Sequence, residues 1–381
     1  MSESVGDRLR SMSIDNKPKT VEEINNLMKS KSNSETEDED VIDDNDDDDD
    51  NKNPVEYPGT VIGNVIDDPD VQEIEADQDL TASIPADTDY IELLHLKIGD
   101  LQDLDLSKFT KVEAICFRQN LIPSIAPIKM LPNPEKMDEL DFYDNRINHI
   151  SSSISRFTNL ENLDFSFNNI KNIKNLENLT KLKNLYFVQN RIRKIENLKH
   201  LKNLVNLELG GNKIEVISED LLHLTNLQKL WLGKNKISKF ENLQNLSNLT
   251  ILSIQSNRLT KIEGLEGLTN LQELYLSHNG ITKIENLDKN LNLQVLDVTS
   301  NKLTKLENLS HLSKLTDFWA SYNQISSFED LTELNKLPEL DTVYFEGNPI
   351  QLENPTAYRR KVKIYLDKTK LTKIDATFIK S

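Results

Sequence analysis

An α/β repeat fold, a solenoid of stacked coils, is predicted by two observations. Asparagine recurs at near-fixed spacing, at Asn120, Asn145, Asn168, Asn190, Asn212, Asn235, Asn257, Asn279, Asn301, Asn323 and Asn348, with gaps of 22 to 25 residues. Each stands five residues after an apolar side chain and two before an Ile or Leu, as in Leu252-Ser-Ile-Gln-Ser-Asn257-Arg-Leu259. This period and pattern mark a leucine-rich-repeat solenoid: a right-handed curved coil with a parallel sheet on its concave side and a 3₁₀ or extended convex side.

Taken in chain order, residues 1–78 read as a disordered acidic tail. Residues 1–80 carry 25 acidic and 7 basic side chains and residues 81–381 carry 38 of each, so the net charge of −18 sits at the N-terminal end. Twelve acids fall between Glu35 and Asp50, too polar a stretch to offset its ordering entropy by burial. Residues 20–28 have the apolar spacing of a short helix with Thr20 as N-cap. Ser34 and Thr36, set among acids, suit acid-directed phosphorylation.

The solenoid, about twelve repeats within residues 79–350, is expected to begin near Tyr90. Its first coil is read as Leu94-His-Leu-Lys-Ile-Gly99-Asp-Leu101, with Gly99 in the asparagine place. In later coils strand alternation puts Leu252 and Ile254 inside and Ser253 outside. The asparagine closes the strand, its amide bonding backbone groups that the turn leaves unpaired. Twelve strands at roughly 4.8 Å spacing make a sheet on the order of 50 Å long, sized for a protein partner. A 22-residue coil leaves room for only a brief 3₁₀ or extended return, often through Glu-Asn-Leu as at Ile284-Glu-Asn-Leu287. Residues 351–381 form a cap, in which Asn354 and Pro355 open a helix with Tyr358, Val362, Tyr365 and Leu366 on one face. That helix is a lid over the last coil, and Arg359, Arg360, Lys361 and Lys363 are its solvated side.

Composition narrows the chemistry. One cysteine, Cys116, excludes an internal disulfide framework and fits a reducing compartment. No apolar run approaches the roughly 18 residues that would span a bilayer, and the N-terminus lacks the apolar core of a secretory signal. The chain therefore reads as soluble and intracellular, and the sequons at Asn178 and Asn248 as by-products of the repeat. The six histidines lie in different coils without metal-ligand spacing, so no metal or cofactor is expected. Gly210-Gly211 lacks the lysine and hydroxyl of a phosphate loop and is better explained as a repeat turn. No nucleophile elbow or catalytic-cysteine setting is present, and an enzyme is not expected.

Counting four residues back from each asparagine isolates the outward strand position. It holds Cys116, Asp141, Asp164, Tyr186, Glu208, Trp231, Ser253, Tyr275, Asp297, Trp319 and Tyr344, with Arg118, Tyr143, Asp317 and Glu346 flanking. Five aromatics and four carboxylates on one line predict a binding face, because Trp and Tyr are favoured at interface hot spots and solenoids bind along their concave surface. The carboxylates repel phosphate backbones and favour a partner with a basic patch.

With period, linker and lid together, residues 90–381 closely resemble the family of leucine-rich-repeat regulatory subunits of protein phosphatase type 1. The run of 22-residue repeats and the lid Asn354-Pro-Thr-Ala-Tyr358-Arg-Arg-Lys-Val362 carry the resemblance. It implies a non-catalytic subunit of nucleus and cytoplasm whose concave face docks the phosphatase catalytic subunit and controls its activity, maturation or localisation. The positions it assigns to docking are Asp164, Tyr186, Glu208, Trp231, Asp297, Asp317, Trp319 and Tyr344. A further phosphatase inhibitor subunit, a monomeric free state, and no nucleic-acid or membrane partner complete the expectation. Many phosphatase regulators use a basic-Val-x-Phe peptide. The nearest string here, Val343-Tyr-Phe345, is a strand whose Val343 and Phe345 should face inward. The alternative is a structural repeat adaptor of a splicing or cytoskeletal complex.

Overall fold

The computed structural model describes residues 79–379. The acidic tail, the helix expected at residues 20–28 and the sites Ser34 and Thr36 lie outside the described residues. Twelve three-residue strands, β1 (Tyr90–Glu92) through β12 (Thr342–Tyr344), pair in chain order and in parallel, one per coil. The middle residue of each, from Ile91 to Val343, is at most 1 % exposed. Two residues on, Phe117, Phe142, Phe165 and Phe187 stack with ring centroids 5.3, 5.5 and 5.7 Å apart. Smaller aliphatic side chains continue that column to Val298 and Ala320.

The asparagine ladder runs the full length of the solenoid. In each step the amide oxygen accepts from the backbone N–H two residues past the previous asparagine, as Asn235 does from Ile214 at 3.0 Å. The amide nitrogen donates to a strand-end carbonyl of the previous coil, Leu209 at 2.9 Å, and to its own, Leu232 at 3.0 Å. The residue before every ladder asparagine lies at φ between 53° and 75°, in the left-handed region, and only Gly211 and Gly347 are glycine there. Gly211 is thus a turn residue.

The first coil departs from its expected register. Strand pairing sets Ile91 beside Ile115, so the place of Asn120 is taken by Leu96, not Gly99. His95 before it has the left-handed φ of 59°, and Asn120 accepts from Leu96 N at 3.0 Å and Ile98 N at 3.1 Å. Both Leu94…Leu101 and Ile91…Ile98 satisfy the apolar spacing. Packing decides, since Ile91 and Ile98 are buried while Leu94 is 36 % exposed.

Coil length sets the convex geometry. Each of the six 22-residue coils turns through a left-handed residue, Asn175, Asn197, Asn242, Gly264, Asn286 or Asn308, at φ from 58° to 67°. The five asparagines each donate to a carbonyl one coil back, at 2.6 to 2.8 Å. The longer coils use 3₁₀ turns instead, three of them capped by Ser151, Ser218 and Ser327, each accepting from a backbone N–H two residues on. One or more added residues therefore exchange one turn for the other. On the same side Asn248, a sequon residue, donates to Thr225 O at 2.9 Å.

The cap differs from its expected form in three ways. Asn348 and Pro349, not Asn354 and Pro355, stand at N-cap and first position of a helix, the four-residue Pro349–Leu352. Asn354 and Pro355 lead into a turn, and the lid helix spans Tyr358–Tyr365, with Tyr358, Val362 and Leu366 buried. Arg359 does not face solvent freely: it donates to Ile374 O at 2.7 Å and Thr377 O at 3.1 Å, and Lys361 lies 4.8 Å over the Phe328 ring. Beyond the helix, β13 (Lys373–Ile374) pairs with β12, and β14 (Thr377–Phe378) turns back upon β13. Asp375 between them accepts from Phe345 N at 2.9 Å, Glu346 N at 3.2 Å and the Tyr358 hydroxyl at 3.2 Å, satisfying donors of the final coil.

Candidate functional site

Parallel register places the third residue of every strand in one row. It runs Glu92, Cys116, Asp141, Asp164, Tyr186, Glu208, Trp231, Ser253, Tyr275, Asp297, Trp319, Tyr344. Glu92 joins it through the corrected register of the first coil. Asp317 begins the strand that ends in Trp319 and so lies in a parallel column on one side, beside Val295 and Thr342. Arg118, Tyr143 and Glu346 lie on the other side, two residues beyond the row. The expected flank is therefore two columns.

The row divides into three stretches. At its N-terminal end Arg118 pairs with both Asp141 and Asp164, its Nη2 3.3 Å from Asp164 Oδ2, while its guanidinium covers the Tyr143 ring at 4.7 Å. Asp141 and Asp164 also accept from the backbone N–H two residues on, Tyr143 at 2.9 Å and Ser166 at 2.7 Å. Burial, then the charge of Asp141, pushes Asp164 up to about 7. Burial, with Asp141 and Asp138 nearby, does the same to Glu139. One guanidinium does not neutralise this group of acids, and the bare row holds part of it protonated near neutrality.

In the middle stretch Asn206 donates to the Tyr186 hydroxyl and to Glu208 Oε1, both at 3.3 Å. Burial raises Glu208 and pushes Tyr186 up to about 12. Trp231 follows, half-buried, its indole N–H shielded from water without an acceptor.

The C-terminal stretch is aromatic. Trp319 lies between Tyr275 and Tyr344, with centroids 6.2 and 6.0 Å away, and Lys373 sits 5.3 Å over Tyr344. The Trp319 N–H, too, is shielded and unpartnered. Asp297 is only 3 % exposed and accepts from Thr299 N at 2.9 Å, so it forms the floor between two rings. Asp317 is half-buried and accepts from the Thr316 hydroxyl at 2.8 Å.

The eight residues expected at the site thus share one concave surface, seven in the row and Asp317 beside it. Exposure along it is uneven, because side chains on a curved sheet cover one another: Asp141, Ser253, Tyr275 and Asp297 are all buried. Sequence reasoning missed Glu92, Glu139, Lys373 and the counter-ion role of Arg118. Glu92 was recoverable from Ile91-to-Ile98 spacing; a pairing across coils and a strand contributed by the cap carry no periodic signal. Among the described residues no three His, Cys, Asp or Glu side chains are placed to hold a metal ion.

A family model, leucine-rich repeat region, matches residues 139–350. The chain is 60% identical over 319 residues to "Protein phosphatase 1 regulatory subunit SDS22" of Saccharomyces cerevisiae, spanning 83% of this chain and 94% of that protein. It is 50% identical over 88 residues to the Schizosaccharomyces pombe protein of the same name, 23% of this chain and 25% of that one. A crystal structure of the internalin InlF of Listeria monocytogenes superposes with a TM-score of 0.64 at 23% identity, covering 77% of this chain and 82% of that one, a likeness of fold alone.

Proposed function

The chain belongs to the leucine-rich-repeat regulatory subunits of protein phosphatase 1, and from that premise we propose that it grips the phosphatase catalytic subunit along its concave row and controls that enzyme's activity, maturation or localisation. It is a regulatory subunit, not a catalyst. The observation that carries the docking surface is the register: acids and aromatics from ten of the twelve coils fall into one line, Glu208 and Trp231 at its centre and the Tyr275, Trp319, Tyr344 cluster at its end. A basic partner surface would favour the ionised form of carboxylates whose ionisation burial opposes.

Asp164, Glu208 and Asp317 supply the charge recognition in this reading, Tyr186, Trp231, Trp319 and Tyr344 the contact area, and Asp297 the shape of the aromatic floor. The free protein is a monomer, supported by a cap that closes the C-terminal end of the sheet, and works in nucleus and cytoplasm, supported by a single cysteine. A phosphatase inhibitor subunit joins the complex in the same reading, which leaves the convex side and flanks uncovered.

Trp319→Ala and Glu208→Ala should each weaken binding of the purified catalytic subunit by about 2 kcal/mol, some thirtyfold, in surface plasmon resonance. Both side chains leave the apolar interior intact, so circular dichroism should be unchanged. Undiminished binding by the folded double variant sinks the concave-face assignment.

A further inference from the structure

The solenoid carries a second polarised surface, on the flank that follows the strands. From Arg146 to Lys305 the positions one, three and four residues after each ladder asparagine hold thirteen basic side chains and one acid, Glu215. Thirteen of the 38 basic side chains of residues 81–381 thus share this flank, while the glutamates of the Glu-Asn-Leu turns, such as Glu196 and Glu241, follow two residues further on.

Backbone hydrogen bonds align them. Arg191, Lys213, Lys236 and Arg258 occupy one place in four consecutive coils, each N–H donating to the previous coil at 2.8 to 2.9 Å. Their spacing is therefore that of the sheet, about 5 Å. Arg191, Arg193, Lys194, Lys239 and Arg258 are exposed, Lys236 is half-buried, and none of these six forms an ion pair with a described residue. In their midst Val216 is 56 % exposed, an apolar side chain among cations. At the same coils Gly210, Gly211 and Gly233 form the rim between row and flank, with the Gln189 side chain packed against Gly211 and that of Gln255 against Gly233.

We propose that this flank docks an extended acidic segment of a partner protein, its carboxylates along the cation column and one apolar side chain on Val216. A uniform column of like charge in register favours a ligand with repeated negative charge, and long Lys and Arg side chains absorb the mismatch between their spacing and that of an extended peptide. The apolar anchor favours polypeptide over nucleic acid, and these positions hold no Phe, Tyr or Trp on which bases could stack. The surface is independent of the concave docking reading.

Fluorescence anisotropy of the full chain with a labelled twelve-residue Asp/Glu peptide bearing one central Leu tests it. Binding should weaken with ionic strength. It should fall at least about tenfold in the Arg191→Glu, Lys236→Glu, Arg258→Glu variant. Val216→Ser should weaken the Leu peptide and leave an all-Asp/Glu peptide unchanged, and Trp319→Ala should affect neither, which separates this surface from the concave one. No binding by the native chain, an unchanged affinity in the folded charge-reversal variant, or tighter binding of an oligodeoxythymidylate of equal charge overturns the proposal.

Discussion

Asn235 and Asn290 bring the same amide into the same core with opposite consequences. Asn235 gives Ile214 N–H its acceptor and spends its own N–H groups on two strand-end carbonyls. Truncation to Ala leaves that backbone N–H buried and unpaired, which should cost about 2–3 kcal/mol in urea unfolding. Asn290 is fully buried in a column otherwise filled by Leu246, Leu268 and Leu312, and its amide oxygen has no partner. The carbonyls to which it donates, Leu265 and Leu268, already accept from Leu268 N and Leu271 N. Asn290→Leu should therefore stabilise the chain by about 1 kcal/mol, and an equal loss at both sites would refute the distinction. The ladder was legible in the sequence because it recurs at one place in every coil. Asn290 was not, since a single polar residue among Asn-rich turns has no period to betray its depth.

Each coil is an element with a choice of return path, and its length makes the choice. In a 22-residue coil the asparagine of Glu-Asn-Leu takes a left-handed φ and donates one coil back, as Asn242 does to Ile217 O at 2.7 Å. The sequence displayed this tripeptide as a motif without its reason, which is backbone conformation joined to a hydrogen bond between coils. Gly264 in the equivalent place satisfies the first need and not the second. Asn242→Gly should thus lose about 1 kcal/mol for the bond, and Asn242→Ala a further 1 kcal/mol or so for left-handed strain. Equal thermal stability of the two variants would remove the conformational half of the account. Elements at the ends were harder to read. The first coil lacks its asparagine, so two apolar registers competed and only the burial of Ile91 and Ile98 resolves them. In the cap two Asn-Pro pairs carry the same helix-start signal, and the ladder bonds of Asn348 fix which of them opens a helix at once.

At the scale of the whole molecule, residues 81–381 carry equal numbers of acids and bases around an acidic concave row and a basic flank, and the row concentrates its acids where burial resists ionisation. Asp164, faced by Arg118, Asp141 and Tyr186 along the row, is raised from an ordinary value near 3.8 to about 7. An acid raised in the folded state holds its proton longer than in the unfolded chain. Its contribution to stability is fully present below about pH 4, is lost as pH rises toward 7, and is flat above. Asp164→Asn should abolish that part of the decline, read as a smaller drop in melting temperature between pH 5 and 7.5. Binding runs the other way. A cationic partner selects the ionised carboxylate, so the complex holds fewer protons than the free row and affinity should climb at least about tenfold from pH 5.5 to 7.5 before levelling. Calorimetry in buffers of different ionisation heat should register the released proton, and Asp164→Asn should suppress both the release and the slope. Opposite trends in stability and affinity from one residue are what a charged partner at this site requires. If both measurements rise or fall together, or if the Asn variant keeps the wild-type slope, the cation that the row recognises does not sit at Asp164.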